Sequence, residues 1–280
     1  VLSDSVHVRN SDLESQISLQ ATLPADQSSP HIDFDASWVV LDLSAIHRYL
    51  PATIIPPKLS QWLENAFVSG YVTSGHTHFD GRVANFPFDD GSGVFRLEAR
   101  LENTTIEYAP DWPAPEFRHL EIVVENTHFL SVENSVVDIG NYYQDARIEI
   151  HDLRDPVLKV DAFATGTLQS IHDYISDSPV ANIFGGQLKS VEVDGDASFD
   201  LSITLPVNDI KSYDFSTRIR SSGGTVRVLG FPAAITELNG SFTVSRNGVS
   251  SDSLFATFLG HPIDFNLTRT PDSVFPFRAV

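Results

Sequence analysis

His76-Thr77-His78 followed by Asp80 is the nearest thing to a metal-ligand cluster in this chain. Alternate residues of a strand share a face, so both imidazoles could reach one ion. Two solvent-facing histidines on the polar side of a strand is the preferred reading, and no metal ligand is assigned. Asp194-Gly195-Asp196 with Asp200 has part of the spacing of a calcium loop. It lacks the full acidic series that ends in a bidentate glutamate, so a hairpin turn is expected there. Asp89-Asp90-Gly91 is read the same way. Tyr108, Trp112 and Pro113 could stack a sugar, although such a cluster more often plugs the corner of a sheet. Asn103-Thr104-Thr105, Asn239-Gly240-Ser241 and Asn266-Leu267-Thr268 match glycosylation sequons and are read as chance matches. The sequence contains no G-x-S-x-G elbow, H-E-x-x-H pair, P-loop or dinucleotide fingerprint. No catalytic residue and no cofactor is assigned.

Composition narrows the classes further. The 280 residues carry a formal charge of -19 and 41% apolar residues. That length suits one large β domain or two ordinary ones with a sizeable core. So acidic a surface cannot displace counterions from nucleic acid, and it is repelled by anionic membranes. Contact with lipid would have to come from apolar burial. Cysteine is absent, which excludes disulfides and thiol chemistry and fits any compartment, an oxidising one included. Methionine is absent too, and the opening at Val1 reads as mid-protein, so a fragment of a larger protein is expected. No segment approaches the ~18 unbroken apolar residues of a membrane helix.

The elements that would position any site are mostly strands. Ile32, Phe34, Ala36, Trp38 and Val40 alternate with Asp33, Asp35 and Ser37. The same period-two pattern runs through Phe95, Leu97, Ala99 and Leu101, and through Phe199, Leu201, Ile203 and Leu205. It returns in Phe215-Ile219, Phe242-Val244, Leu254-Phe258 and Ile263-Leu267. Asp194-Gly195-Asp196, Gly223-Gly224, Asn239-Gly240 and Asn247-Gly248 are expected as turns of an antiparallel meander. Leu59, Trp62, Leu63, Ala66 and Phe67 fall on one face of a helix entered after Pro56-Pro57 and ended near Gly70. Leu168, Ile171, Tyr174 and Ile175 give a second helix, stopped before Pro179; Ile46, Tyr49 and Leu50 fit a single turn before Pro51. A helix followed by strands near residue 59 recurs near residue 168. Each strand thus has one apolar and one polar face. Packed on itself, that face is a core; on a long curved sheet it lines a channel, and patterning does not separate the two.

From Tyr49 to about Pro206 the sequence resembles the YhdP family of AsmA-like envelope proteins. The matching elements are Tyr49-Leu50-Pro51, Trp62-Leu63, Gly70, Gly81, Phe86-Pro87-Phe88, Gly93 with Phe95, Tyr108 and Trp112-Pro113. They continue with Ala146 to Leu153, Leu158-Lys159-Val160, Ser178-Pro179, Gly195 and Leu205-Pro206. The resemblance implies a mostly β fold: an elongated, twisted antiparallel sheet forming an apolar groove, a half-pipe, with two or three short amphipathic helices. It implies one continuous section of a larger protein over 1–280, or two stacked units of about 1–160 and 161–280. It implies a periplasmic location, with the parent anchored in the bacterial inner membrane, and phospholipid moving between inner and outer membranes in support of the outer-membrane permeability barrier. The expected groove lining is Phe34, Trp38, Phe95, Leu97, Leu101, Phe199, Leu201, Ile203, Leu205, Phe215, Ile219, Phe242, Val244, Phe258 and Phe265. Phe199, Leu201 and Ile203 are its firmest members. Open sheet edges make end-to-end or edge self-association plausible. Two other readings stay open: a structural periplasmic spacer with a dry core, and a carbohydrate-active enzyme using carboxylates with Tyr108 and Trp112.

Overall fold

The computed structural model describes residues 2–26, 28–49, 57–138, 141–184, 186–269 and 277–279. Its order is β1 (Leu2–Arg9), β2 (Leu13–Thr22), β3 (His31–Val40), α1 (Pro57–Ala66), β4 (Phe67–Arg82), β5 (Val94–Ile106) and β6 (Glu116–Glu125). Then come β7 (His128–Asp138), β8 (Asn141–Ile150), β9 (Val157–Thr167), α2 (Leu168–Ser176), β10 (Val191–Pro206) and β11 (Asp214–Val228). The chain continues as β12 (Ile235–Ser245), β13 (Gly248–Phe258), β14 (His261–Phe265), β15 (Leu267–Arg269) and β16 (Phe277–Ala279). Strands β1 to β14 form a single 14-stranded sheet in sequence order, and β15 and β16 make a separate hairpin. Every paired neighbour is antiparallel, as short connections between alternating strands dictate. The mostly β, antiparallel reading therefore holds. At about 4.8 Å per strand the sheet is roughly 60 Å across, measured along its hydrogen bonds.

Several local expectations need correction. Asp194-Gly195-Asp196 is not a hairpin turn. It lies inside β10, where the register with β11 slips between Asp194 and Asp196. Gly223-Gly224 and Asn239-Gly240 are likewise slips inside β11 and β12. The cause is shared chemistry: backbone with φ > 0 serves a tight turn and a β-bulge equally. Gly195 has φ 114°, and a Cβ there would lie 2.8 Å from the Gly224 Cα, so the bulge brings two backbones into contact. The slips in β10, β11 and β12 lie side by side along one line, and a bulge bends its strand locally. Beyond that line Leu238, Leu254 and Ala256 form a small core of their own. A two-residue hairpin does form next to Asn247-Gly248, but its loop is Arg246-Asn247, with Ser245 opposite Gly248, the first residue of β13. Asp89-Asp90-Gly91 is a turn between β4 and β5.

The first helix stops at Ala66 rather than near Gly70, because Phe67 and Ser69 already pair with β5. Pro56, Leu50 and Pro51 lie outside the described residues; Ile46 and Tyr49 belong to a 3-10 segment, Leu43–Tyr49. The second helix is as expected. Thr167 caps α2 by accepting from the Ser170 N–H, and Ser170 Oγ accepts from the Thr167 N–H, which satisfies two donors the helix would otherwise leave bare. Replacing Thr167 with Ala should cost about 1 kcal/mol of stability, read as a lower denaturation midpoint with an unchanged m-value.

Candidate functional site

Cross-strand register places all fifteen expected lining residues on one face of the sheet. One row runs Ile17, Ala36, Thr77, Leu97, Val124, Phe129, Ile150, Leu158 and Leu205 across nine strands. A second runs Leu19, Phe34, Phe79 and Phe95. Val40, Val72, Leu101 and Leu120 make a third; Ala164, Phe199, Ile219 and Phe242 a fourth. Ala162, Leu201, Thr217 and Val244 continue beside it, and Ile203 faces Phe215. Phe265 faces Leu254 near the sheet's last edge, with Phe258 on the same side of β13.

Burial divides this face into two parts. Over β10 and β11 it is sealed. Phe199 and Ile219 are 1% exposed, and Leu205 and Phe215 are 0% exposed. Leu201 and Ile203 in these two strands' shared core, and Val244 on β12 beside them, are buried as well. The cover comes from the chain itself. Leu168, Ile171, Tyr174 and Ile175 of α2 join the same core cluster, with Tyr108 and Trp112 from the segment between β5 and β6. Trp112 packs against Tyr108, Tyr174, Tyr213 and Phe215, with ring centroids 5.3 to 6.4 Å apart. The Tyr108 and Tyr174 hydroxyls are 2.9 Å apart, and the Trp62 indole N–H of α1 donates to the Tyr108 carbonyl at 2.8 Å. The aromatics weighed above as a sugar platform thus close the apolar face.

Over β2 to β9 the face is mixed: Val40, Val72, Leu101, Leu120, Ile150, Leu158 and Ala164 are buried there too, and the remainder is more open. Ile17, Leu19, Phe34, Trp38, Phe79, Phe95, Leu97, Ile122, Val124, Phe129, Ile148 and Val160 are all half-buried. Phe242, Phe258 and Phe265 are half-buried again past the sealed block. The Trp38 ring lies over Gly75, where a Cβ would come within 2.4 Å of it, and its N–H donates to Thr77 Oγ1 at 2.9 Å. Sequence reasoning named Phe34, Trp38, Phe95 and Leu97 from this strip but missed the rest. In β4 the signal is broken by Gly75, Thr77 and the histidines; in β6 the run Ile122-Val123-Val124 hides which residues face inward.

The other face is polar and cross-linked. Arg96 bridges Glu98 and Glu125 at 2.6 and 3.3 Å, Arg100 holds Glu121, and Arg220 meets Asp200 at 2.6 Å. His76 and His78 do share this face, and both approach Asp35, at 3.4 and 3.2 Å. An open depression of about 490 Å³ on it is bordered by Arg147, Asp161, Phe163, Asp200 and Arg218. Five carboxylates among the described residues are clearly shifted, all downward. Hydrogen bonds hold them ionised: Ser11 on Asp12, Ser28 on Asp26, Ser92 on Asp90, His128 on Glu149 and Arg154 on Asp152. That is opposite to the upward shift a general acid requires. No helix among the described residues is long and apolar enough to cross a membrane.

Together these features define a class: an open antiparallel sheet with one apolar face, sealed by its own helices over one block and half-open over the rest. The chain belongs to the YhdP family, whose YhdP protein model matches residues 1–274. It is 22% identical over 228 residues to the intermembrane phospholipid transporter YhdP of Escherichia coli K12. That match covers 81% of this chain and 18% of the relative, so the chain spans under a fifth of that protein's length. No solved structure matches.

Proposed function

We propose that this chain is a non-enzymatic section of a lipid conduit in the bacterial periplasm, carrying phospholipid acyl chains along its apolar face between the two membranes. The observation that carries the reading is the half-open apolar strip from Ile17 and Leu19 to Val160. A row of cross-strand partners lies perpendicular to the strands, so an acyl chain laid along it crosses from strand to strand. Each methylene removed from water gains about 0.8 kcal/mol without any directed contact. Neighbouring positions are chemically alike, which keeps barriers to sliding low. The phosphate stays in water at the open side, since burying its charge is costly. The ion-paired outer face keeps such a sheet soluble.

The Escherichia coli relative is an intermembrane phospholipid transporter, which supports phospholipid as the cargo class. An inner-membrane anchor would then belong to other parts of the parent protein. The recurrence of a helix followed by a bulged 16-residue strand, α1–β4 and α2–β10, supports two stacked units on one sheet. Strands β1 and β14 are the sheet's two edges, where flanking sections of the parent, or a second copy, would extend it. Passage beyond β9 requires the α2 segment to lift from β10 and Trp112 to leave Phe215. The sealed block also favours a second reading, a dry structural spacer.

Native mass spectrometry of the chain purified without detergent separates the two. Co-purified phospholipid, identified after extraction, is the expected result. A folded protein that carries none and takes up none from vesicles would leave the spacer reading standing.

A further inference from the structure

The seam between β7 and β8 is held differently from its neighbours. Backbone pairing joins Phe129 to Ile150 and Leu130 to Glu149 at one end, and Val137 to Tyr142 and Asp138 to Asn141 at the other. Between those pairs, among the described residues, Ser131 and Asn134 add side-chain bridges. The Ile148 N–H donates to Ser131 Oγ at 3.0 Å, and Asn134 Nδ2 donates to Ser131 Oγ and to the Ala146 carbonyl. This seam is the midpoint of the sheet, with β1 to β7 on one side and β8 to β14 on the other.

At one end of the seam, on the polar face, stand His128, Glu149 and His151. One donor atom of each lies within 4.8 Å of the other two. His128 Nε2 is 2.7 Å from Glu149 Oε1, and the two imidazole centroids are 5.6 Å apart at 61°. The second oxygen of Glu149 is taken by Arg147, whose Nε and Nη2 donate to Oε2 at 3.2 and 3.1 Å. Arg147 therefore pins the carboxylate with Oε1 turned toward the imidazoles. Outer partners orient zinc-bound carboxylates in this way.

We propose that His128, Glu149 and His151 bind one zinc-class divalent cation that clamps β7 to β8. Two imidazoles and one carboxylate form a zinc donor set. Bond lengths of about 2.0–2.1 Å place tetrahedral ligands roughly 3.4 Å apart, which small side-chain rotations reach from the spacing seen here. Water completes the shell on the exposed side. His128 is the first residue of β7, Glu149 lies near the end of β8 and His151 just past it, so the ion spans the end of the seam beside the pairs Phe129–Ile150 and Leu130–Glu149. Glu125 lies across from His128, and Lys159 across from Glu149. The Lys159 charge tempers the affinity without blocking the three donors, whereas Arg147 raises it by orienting Glu149. The site is independent of what the apolar face carries.

The test is calorimetric titration of the EDTA-stripped chain with zinc chloride, paired with amide exchange across the seam. One equivalent should bind, and protection should rise at Ile148 to Ile150. H128Q and H151Q, checked for folding by circular dichroism, should each abolish that binding. R147Q should weaken it roughly tenfold. No saturable uptake overturns the proposal. So does uptake undiminished in H128Q and H151Q, which would place the metal at the other donor group, Asp33, Asp35 and His78.

Discussion

Truncating Phe199 to Ala should destabilise the protein by about 3–5 kcal/mol, because the ring is lost from a site with no solvent on any side. Phe215→Ala should behave alike, and Ile219→Ala should cost about 2–5 kcal/mol. The block cannot collapse onto the gap easily. Trp112 is wedged between Tyr108, Tyr174, Tyr213 and Phe215, and Tyr174 ties α2 into the same cluster. In a chain of this size the melting temperature should fall by roughly 6–10 °C for Phe199→Ala. Phe34→Ala, at a half-buried position of the same face, should cost well under half as much. Differential scanning calorimetry of the three Phe variants checks this. Equal losses at Phe34 and Phe199 would mean the face is one uniform core, and the division into sealed block and open strip would fall.

Placing a charge in the strip should remove lipid without unfolding the protein. Val124→Asp is the informative change. Val124 sits between Leu97 and Phe129 in the nine-strand row, and it is half-buried. A carboxylate there can reach water in the empty protein but would be desolvated beneath an acyl chain, at a cost of several kcal/mol. Since about 1.4 kcal/mol is a factor of ten, lipid occupancy should fall at least tenfold. Val123→Asp is the matched control, because Val123 pairs with Leu130 and Glu98 on the polar face. Its lipid content should match that of the unaltered chain. Equal lipid loss in both variants would show that the apolar row does not carry the cargo.

Much of this protein was legible in the sequence. Period-two alternation identifies the strands, because side chains of a strand must point alternately to two sides. The preference of a buried face for Phe, Leu, Ile and Val then fixes which side is apolar. Helix α2 was visible from Leu168, Ile171, Tyr174 and Ile175 for the corresponding reason at a period of 3.6. The family was legible too, through Trp62-Leu63, Phe86-Pro87-Phe88 and Trp112-Pro113 in their order. Tertiary structure decided the rest. Whether Asp194-Gly195-Asp196 turns the chain or bulges a strand depends on what lies opposite, and Gly224 lies opposite. Whether Phe199 or Leu97 meets solvent depends on where α2 and Trp112 settle, since both residues have the same local pattern. His128 and Glu149 are 21 residues apart and meet only because β7 and β8 pair. Local sequence sets which face of a strand is apolar; only the packing of distant segments sets which part of that face is covered.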